Sequence, residues 1–232
     1  MIKRIAFLVL LVSTFNASAL TIDSMLLVAD KGGNGAFSLS NDLSDTNFIK
    51  GSISQVNVVN GEIEEVKYTE DNLTDWEVTL THPKLILEPG RTKQVGVRSL
   101  CSKECSFSED HVYKVLFEPT PYDPEGKLES KVSVNFGYAP LFIIPAQESK
   151  INYSIQHLGD QLMIDNTGNT YIRVVINECS NEVTQGCKAT FTVLAGRHRA
   201  FNLPDVVINK NVKAIIVNHD ESYRQTRFIE LE

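Results

Sequence analysis

The sequence lacks the short motifs that mark the common enzyme and metal-site classes. It has no His-x3-His pair, no His-Glu-x-x-His and no Gly-x-Ser-x-Gly. The glycine-rich stretch Gly32–Gly35 is not followed by a helical pattern, so it indicates a hairpin turn rather than a phosphate loop. The five histidines are scattered: His82, His111, His157, His198 and His219. We therefore expect no enzymatic activity, no bound metal and no cofactor.

Long hydrophobic runs are also absent, since no stretch approaches the roughly 18 apolar residues that a membrane-spanning helix needs. The apolar run Ile5–Val12 follows Lys3 and Arg4 and precedes the small residues Ala17–Ala19. This layout is typical of a secretory signal peptide, with an N-terminal membrane anchor as the alternative. We expect residues 1–19 to be removed after Ala19, which leaves 213 residues of exported protein without a membrane-inserted segment.

Positive charge is scarce, with 22 basic against 29 acidic residues and a net charge of −7. Removal of the first nineteen residues, which hold two bases and no acid, would take the net charge to −9. An acidic protein is a poor partner for nucleic acid or anionic lipid. The composition therefore argues against a nucleic-acid-binding function.

Only four cysteines are present, and they form two close pairs in the sequence. An exported protein meets oxidising conditions, which favour disulfides. Proximity favours Cys101–Cys105 and Cys179–Cys187 among the three possible pairings. Zinc is the alternative, but no histidine lies between the members of the second pair.

Helical periodicity longer than two turns is missing, whereas short alternating apolar runs recur between turn clusters about every 8–12 residues. The predicted strands begin with Thr21–Ala29, and the first half ends with a long strand, Leu128–Ile144. The dipeptide Asn60-Gly61 indicates a hairpin between two of them. A break follows at Pro145, where the strand count of one immunoglobulin-like sandwich is complete. The sequence therefore predicts an all-β protein with two tandem sandwiches, residues 20–145 and 146–232, rather than one large barrel.

Four stretches of the sequence, taken in order, carry a family resemblance: Pro83–Arg98, Tyr113–Pro119, Asn135–Pro145 and Asn166–Tyr171. Together they resemble the PapD-like periplasmic chaperones of pilus (fimbrial) assembly, in a divergent branch of the chaperone/usher family. The resemblance implies two immunoglobulin-like domains in a boomerang, a periplasmic location, pilin subunits as clients and an outer-membrane usher as the next partner. In that family the chaperone lends a strand to a client sandwich that lacks one.

The lent strand would lie at the end of the first domain. Alternation places Val132, Val134, Phe136 and Tyr138 on one face, as an apolar stripe that could enter a client groove. The alternative is that this stripe faces the protein's own core. We expect these four residues to form the client-binding strand.

The resemblance also implies basic residues that hold the client's C-terminal carboxylate. Better-known members use an arginine in the first strand and a lysine near the end of the lent strand. Here Thr21–Ala29 has no base, and the second position falls near Pro140. Arg98 and Lys114, near the ends of consecutive predicted strands, are the replacements we expect. The alternative for both is ordinary surface charge.

Two other functions compete with an assembly chaperone. A two-domain pilin or adhesin would carry a donor segment after the signal, but the residues after Ala19 run directly into a predicted strand. A ligand-binding or enzymatic β-sandwich would be indicated by a metal or sugar bound to the purified protein.

Overall fold

The architecture comes from a computed structural model, which describes residues 20–101, 107–122, 136–180, 185–208 and 210–232. Within these ranges the chain forms seventeen β-strands and two short 3₁₀ helices, Glu70–Asp75 and Asp205–Val207. The strands are β1 Leu20–Ile22, β2 Leu26–Val28, β3 Gly35–Asn41, β4 Asn47–Val59, β5 Glu62–Lys67, β6 Val78–Leu80, β7 Lys84–Leu87, β8 Thr92–Ser99, β9 His111–Pro121, β10 Leu141–Ile144, β11 Tyr153–Leu158, β12 Gln161–Asn166, β13 Ile172–Asn177, β14 Lys188–Val193, β15 His198–Asn202, β16 Val212–Val217 and β17 Arg224–Ile229. The predicted all-β fold is confirmed.

Strands β1–β10 form two sheets that face each other. One has the order β1-β3-β8-β6, and the other has the order β2-β10-β9-β4-β5, with β7 also paired to β4. Apolar residues alternate along these strands, so each sheet buries one face. Phe37 and Leu39 from the first sheet meet Tyr113, Val115 and Phe117 from the second in one core.

Strands β11–β17 form a second sandwich with its own core. Its sheets have the orders β11-β12-β15 and β14-β13-β16-β17. Leu162 and Ile164 of β12 pack against Val174, Ile176 and Ile216 of the facing sheet. Each half of the chain therefore buries a separate apolar centre.

The first predicted strand, Thr21–Ala29, is wrong as a single element. It divides into β1, which pairs antiparallel with β3, and β2, which pairs parallel with β10 in the opposite sheet. The chain changes sheets at Ser24, whose hydroxyl donates to the carbonyl of Leu26 at 2.6 Å. A serine side chain that bonds its own backbone nearby replaces the ladder bonds lost at such a bend.

Two local predictions agree with the structure. Asn60 and Gly61 form the β4–β5 hairpin turn with φ values of 52° and 79°, as the left-handed turn type requires. Cys179 and Cys187 form a disulfide with an S–S distance of 2.06 Å. Cys101 is also disulfide-bonded, whereas Cys105 lies outside the described residues.

Among the described residues, no helix has the length and apolar character needed to cross a bilayer. Residues 1–19, where the sequence predicts a signal peptide, lie outside the described residues.

Candidate functional site

The stretch before β10 continues the pairing of β10 along β9. The backbone N–H of Tyr138 donates to the carbonyl of Phe117 at 3.0 Å, and the N–H of Phe117 donates to the carbonyl of Tyr138 at 2.7 Å. The N–H of Val115 donates to the carbonyl of Pro140 at 2.9 Å. Residues 138–140 therefore keep the register in which Leu141 lies opposite Lys114. Of the predicted strand Leu128–Ile144, the described part thus follows β9 from Tyr138 onward.

The outer edge of this stretch is open within the described part of the chain. On that side β2 pairs only with Leu141–Ile143. Because Tyr138 and Pro140 direct their carbonyls to β9, the intervening Ala139 and the preceding Gly137 direct their backbone groups away from it. Both residues are exposed. The result is a sheet edge that can accept another strand.

The four predicted client-binding residues fall in three settings. Val132 and Val134 lie outside the described residues. Phe136 is 78% exposed, an unusual state for a phenylalanine in a soluble protein. Tyr138 packs partly against the first core, and its hydroxyl donates to the carbonyl of Leu20 at 2.6 Å. The core of the first sandwich therefore reaches Tyr138 and leaves Phe136 in solvent.

Gly137, between these two aromatics, holds the stretch close to β9. A Cβ atom at this position would lie 2.6 Å from the carbonyl oxygen of Phe117. Backbone cannot move aside as a flexible side chain can, so any larger residue would push the stretch away from β9. The glycine is therefore required for the edge to keep its place.

The two predicted carboxylate anchors are not brought together. Arg98 lies on β8 beside the buried Val97, so its exposed side chain points into solvent from the outer face of the first sheet. Lys114 lies on β9 between the buried Tyr113 and Val115, so its side chain points outward from the outer face of the opposite sheet. There Lys114 forms an ion pair with Glu65 of β5. The two bases point away from opposite sides of one sandwich.

The outer face of the Lys114 sheet is where the second sandwich docks. Val56, Val112 and Ile143 of the first sandwich pack against Tyr171 and Leu194 of the second. A cleft of about 260 Å³ lies beside this cluster. The two sandwiches are therefore joined by an apolar contact as well as by the connecting chain.

Asp110 ties this junction together. Its carboxylate accepts hydrogen bonds from the backbone N–H groups of Ala146 at 2.9 Å and Tyr171 at 2.7 Å, and from the hydroxyl of Thr170 at 3.1 Å. Burial raises the pKa of the Asp110 carboxyl, and these hydrogen bonds to its charged form partly oppose the rise. One side chain thus bonds the connection and the second sandwich at once.

A second polar contact lies at the β4–β5 hairpin. The guanidinium of Arg197 donates to the carbonyl of Gly61 and to the carboxylate of Glu62, both at 2.6 Å. Only 13% of the Arg197 side chain is exposed. The hairpin tip of the first sandwich is therefore bound to a turn of the second.

Sequence reasoning missed Asp110 and Arg197. Each is a charged residue next to a strand, which is the pattern of ordinary surface charge. Asp110 finds its partners 36 to 61 residues away along the chain, and Arg197 finds its partners 135 and 136 residues away. Only folding brings these groups together, so no local signal could have identified them.

The fold matches solved fimbrial chaperones. The crystal structure of the class 5 fimbriae chaperone CfaA aligns with a TM-score of 0.55 at 18% identity, covering 90% of this chain and 98% of that chain. The periplasmic chaperone SfaE aligns with a TM-score of 0.57 at 9% identity, covering 92% and 100%. A chain from the Salmonella enterica SafA pilin in complex with the SafB chaperone aligns with a TM-score of 0.56 at 12% identity, covering 92% and 98%. The protein thus has the two-sandwich fold of the fimbrial chaperones.

A family model also matches the first sandwich. A family model described as the CS5 fimbrial protein N-terminal domain matches residues 22–145. The chain belongs to this family of fimbrial proteins. A comparison with curated proteins found no match. The predicted resemblance to pilus chaperones is confirmed by the fold, and the family model adds that the first sandwich matches a fimbrial protein domain.

Proposed function

We propose that the protein is a periplasmic chaperone that holds fimbrial subunits by lending them a strand from the end of its first sandwich. The observation that carries the proposal is the open sheet edge at Gly137 and Ala139, next to the exposed Phe136. A strand added to such an edge gains main-chain hydrogen bonds, and alternate side chains then enter the partner's groove. The matched fold of solved fimbrial chaperones supports the same assignment.

In this proposal the residues of the strand have different tasks. Phe136 enters the client's apolar groove together with Val132 and Val134, which share its face by alternation. Tyr138, held by the first core and by Leu20, fixes the end of the strand to the chaperone. No covalent bond forms between the client and the chaperone, and release of the client needs no nucleotide. It leaves for an outer-membrane usher when the next subunit's own segment replaces the lent strand.

Of the two predicted anchors, Lys114 is the one that we retain for the client's C-terminal carboxylate. It lies on the sheet face that borders the interdomain cluster, since its neighbour Val112 belongs to that cluster. Lys114 already pairs with the carboxylate of Glu65, so the client's C-terminal carboxylate could take the place of Glu65 beside it. Arg98, on the opposite face, serves as ordinary surface charge.

The test of the lent strand is co-expression with a fimbrial subunit encoded beside the gene, followed by purification of the complex. Phe136→Asp and Val134→Asp should each lower the recovered subunit at least about tenfold, because a buried apolar anchor becomes a charge. Phe228→Asp is the matched control, since Phe228 is 76% exposed on β17 of the second sandwich. Full recovery with both strand variants would reject the lent strand.

The anchor and the location have separate tests. Lys114→Ala should lower subunit recovery, whereas Arg98→Ala should not, and equal recovery from both would reject Lys114 without affecting the strand. Cell fractionation should place the protein in the periplasm. Its presence in purified fimbriae would instead make it a structural subunit.

A further inference from the structure

The outer face of the sheet that holds Lys114 carries a row of three polar residues. Ser54 of β4 lies opposite Lys67 of β5 on one side and opposite Lys114 of β9 on the other. Residues opposite each other on neighbouring strands project from the same face, so the two lysines flank Ser54. Neighbouring strands lie about 5 Å apart, which separates the backbones of the two lysines by roughly 10 Å. Long side chains from both sides can therefore meet over Ser54.

Ser54 forms the floor of this row. It is 7% exposed, and its hydroxyl has no hydrogen-bond partner among the described residues. A hydroxyl can donate to a carboxylate oxygen, as an ammonium group can. The row thus offers two ammonium groups and one hydroxyl that suit a carboxylate.

A carboxylate of the protein itself already lies in this row. Glu65 of β5 is opposite Val56, one step along the face, and its carboxylate reaches diagonally across β4 to the ammonium group of Lys114. The side chain of Glu65 is 34% exposed and that of Lys114 is 29% exposed. An ion pair this open to solvent stabilises a protein little. Glu65 can therefore leave Lys114 at a low cost in free energy.

Lys67 has no such partner. It forms no ion pair within the described ranges, and this includes Glu70 and Asp71, the two acids that follow it in the chain. The row of Ser54 therefore holds two bases and one acid. The rest of the face adds two bases and one acid, which are Lys50, Lys84 and Glu118. The charge balance of the face thus admits a second carboxylate.

We infer that Glu65 holds the place of the client's carboxylate on Lys114 and moves to Lys67 when the client binds. The inference rests on the proposed function, in which Lys114 takes that carboxylate. If Glu65 stayed, two carboxylates would meet at one ammonium group, and their repulsion would oppose binding. Lys67 is two residues from Glu65 on the same face of β5, about 7 Å along the strand, which two long side chains can span.

The same exchange runs in reverse when the client leaves. Glu65 returns to Lys114, so the ammonium group is paired in both states and departure of the client leaves no unpaired charge. Glu65 thereby weakens the hold on the client and speeds its release.

The test is the transfer of a subunit from one copy of the protein to another. The complex with the fimbrial subunit encoded beside the gene is purified on one affinity tag and mixed with an excess of free protein that carries a second tag. Capture on the second tag over time gives the transfer rate. Glu65→Gln keeps the shape of the side chain and removes its charge, so it should slow transfer about fivefold. Glu64→Gln is the matched control, because Glu64 is exposed on the opposite face of the same strand.

Two further variants test the exchange itself. Lys67→Ala removes the alternative partner of Glu65 and should speed transfer about threefold. Lys84→Ala is its control, since Lys84 is an exposed base on the same face of the sheet. In a Lys114→Ala background, Glu65→Gln should no longer slow transfer. Thermal unfolding of each variant should match that of the unchanged protein, which separates altered binding from lost folding.

The outcomes separate this inference from the proposed function. If Lys114→Ala leaves transfer unchanged, the anchor and the role of Glu65 are both rejected. If Lys114→Ala speeds transfer but Glu65→Gln does not slow it, the anchor stands and the role of Glu65 alone is rejected. Equal rates for Lys67→Ala and Lys84→Ala would reject the move to Lys67.

Discussion

The carboxylate of Asp110 accepts the backbone N–H of Tyr171 at 2.7 Å, across the junction of the two sandwiches. The ring of Tyr171 is buried in the apolar cluster that joins them. A polar bond and an apolar contact thus meet at one residue of the second sandwich. The placement of the second sandwich on the first therefore depends on both contacts of Tyr171, the hydrogen bond from its N–H and the packing of its ring.

Replacing Asp110 with alanine should loosen the junction. The change leaves the N–H groups of Ala146 and Tyr171 without their acceptor, which costs about 2–3 kcal/mol in the free energy of unfolding. Urea denaturation measures this loss. Asp42→Ala is the control, because Asp42 is exposed and has no side-chain hydrogen bond among the described residues. Equal midpoints for the two variants would contradict the role given to Asp110.

The same carboxylate should make stability depend on pH. Burial raises the pKa of folded Asp110 above its unfolded value, so the folded state holds the proton more tightly. Its contribution to stability therefore falls as pH rises through the interval between the unfolded and the folded pKa. Asp110→Asn cannot ionise and should lack this slope. Urea midpoints of both proteins, measured from about pH 4, where an unfolded aspartate titrates, up to neutral pH, give the comparison; parallel curves would refute it.

Gly61 should be more sensitive to alanine than a comparable hairpin glycine. Gly61 and Gly159 have φ values of 79° and 68°, so alanine is strained at both by about 1–2 kcal/mol. A Cβ at Gly61 would also lie 3.1 Å from the Cβ of His198, whereas nothing lies within 4 Å of one at Gly159. Thermal unfolding should therefore show a larger loss for Gly61→Ala. Equal losses would mean that the hairpin tip does not press on the second sandwich.

The Cys179–Cys187 disulfide should stabilise the second sandwich. It closes a short loop, with a sequence separation of 8, between β13 and β14. Replacing both cysteines with serine should lower the free energy of unfolding by about 2.5 kcal/mol, mainly through the entropy of the unfolded chain. Urea denaturation with and without reductant tests this. The serine variant should respond to reductant less than the unchanged protein, because the disulfide of Cys101 remains in both. An unchanged midpoint relative to the oxidised protein would contradict the estimate.

The predicted strand Leu128–Ile144 illustrates what a local pattern leaves open. A period of two predicts that Phe136 and Tyr138 share one face as alternate residues of a strand. It does not say that the core ends between them, which leaves Phe136 in solvent and Tyr138 packed. That limit depends on where the facing sheet stops. The split of Thr21–Ala29 into two strands has the same origin, because the apolar run is continuous while its partners lie in different sheets.

Local sequence pattern is enough to predict the all-β class, the Asn60-Gly61 hairpin and the Cys179–Cys187 pairing, because each depends on contacts between near neighbours in the chain. Tertiary structure alone decided the open edge at Gly137 and Ala139, the Asp110 junction and the separation of Arg98 from Lys114. Each of these depends on which sheet a strand joins, and that choice is made by distant partners. Local pattern specifies strands, whereas the packing of whole sheets specifies which of their edges and charges remain available.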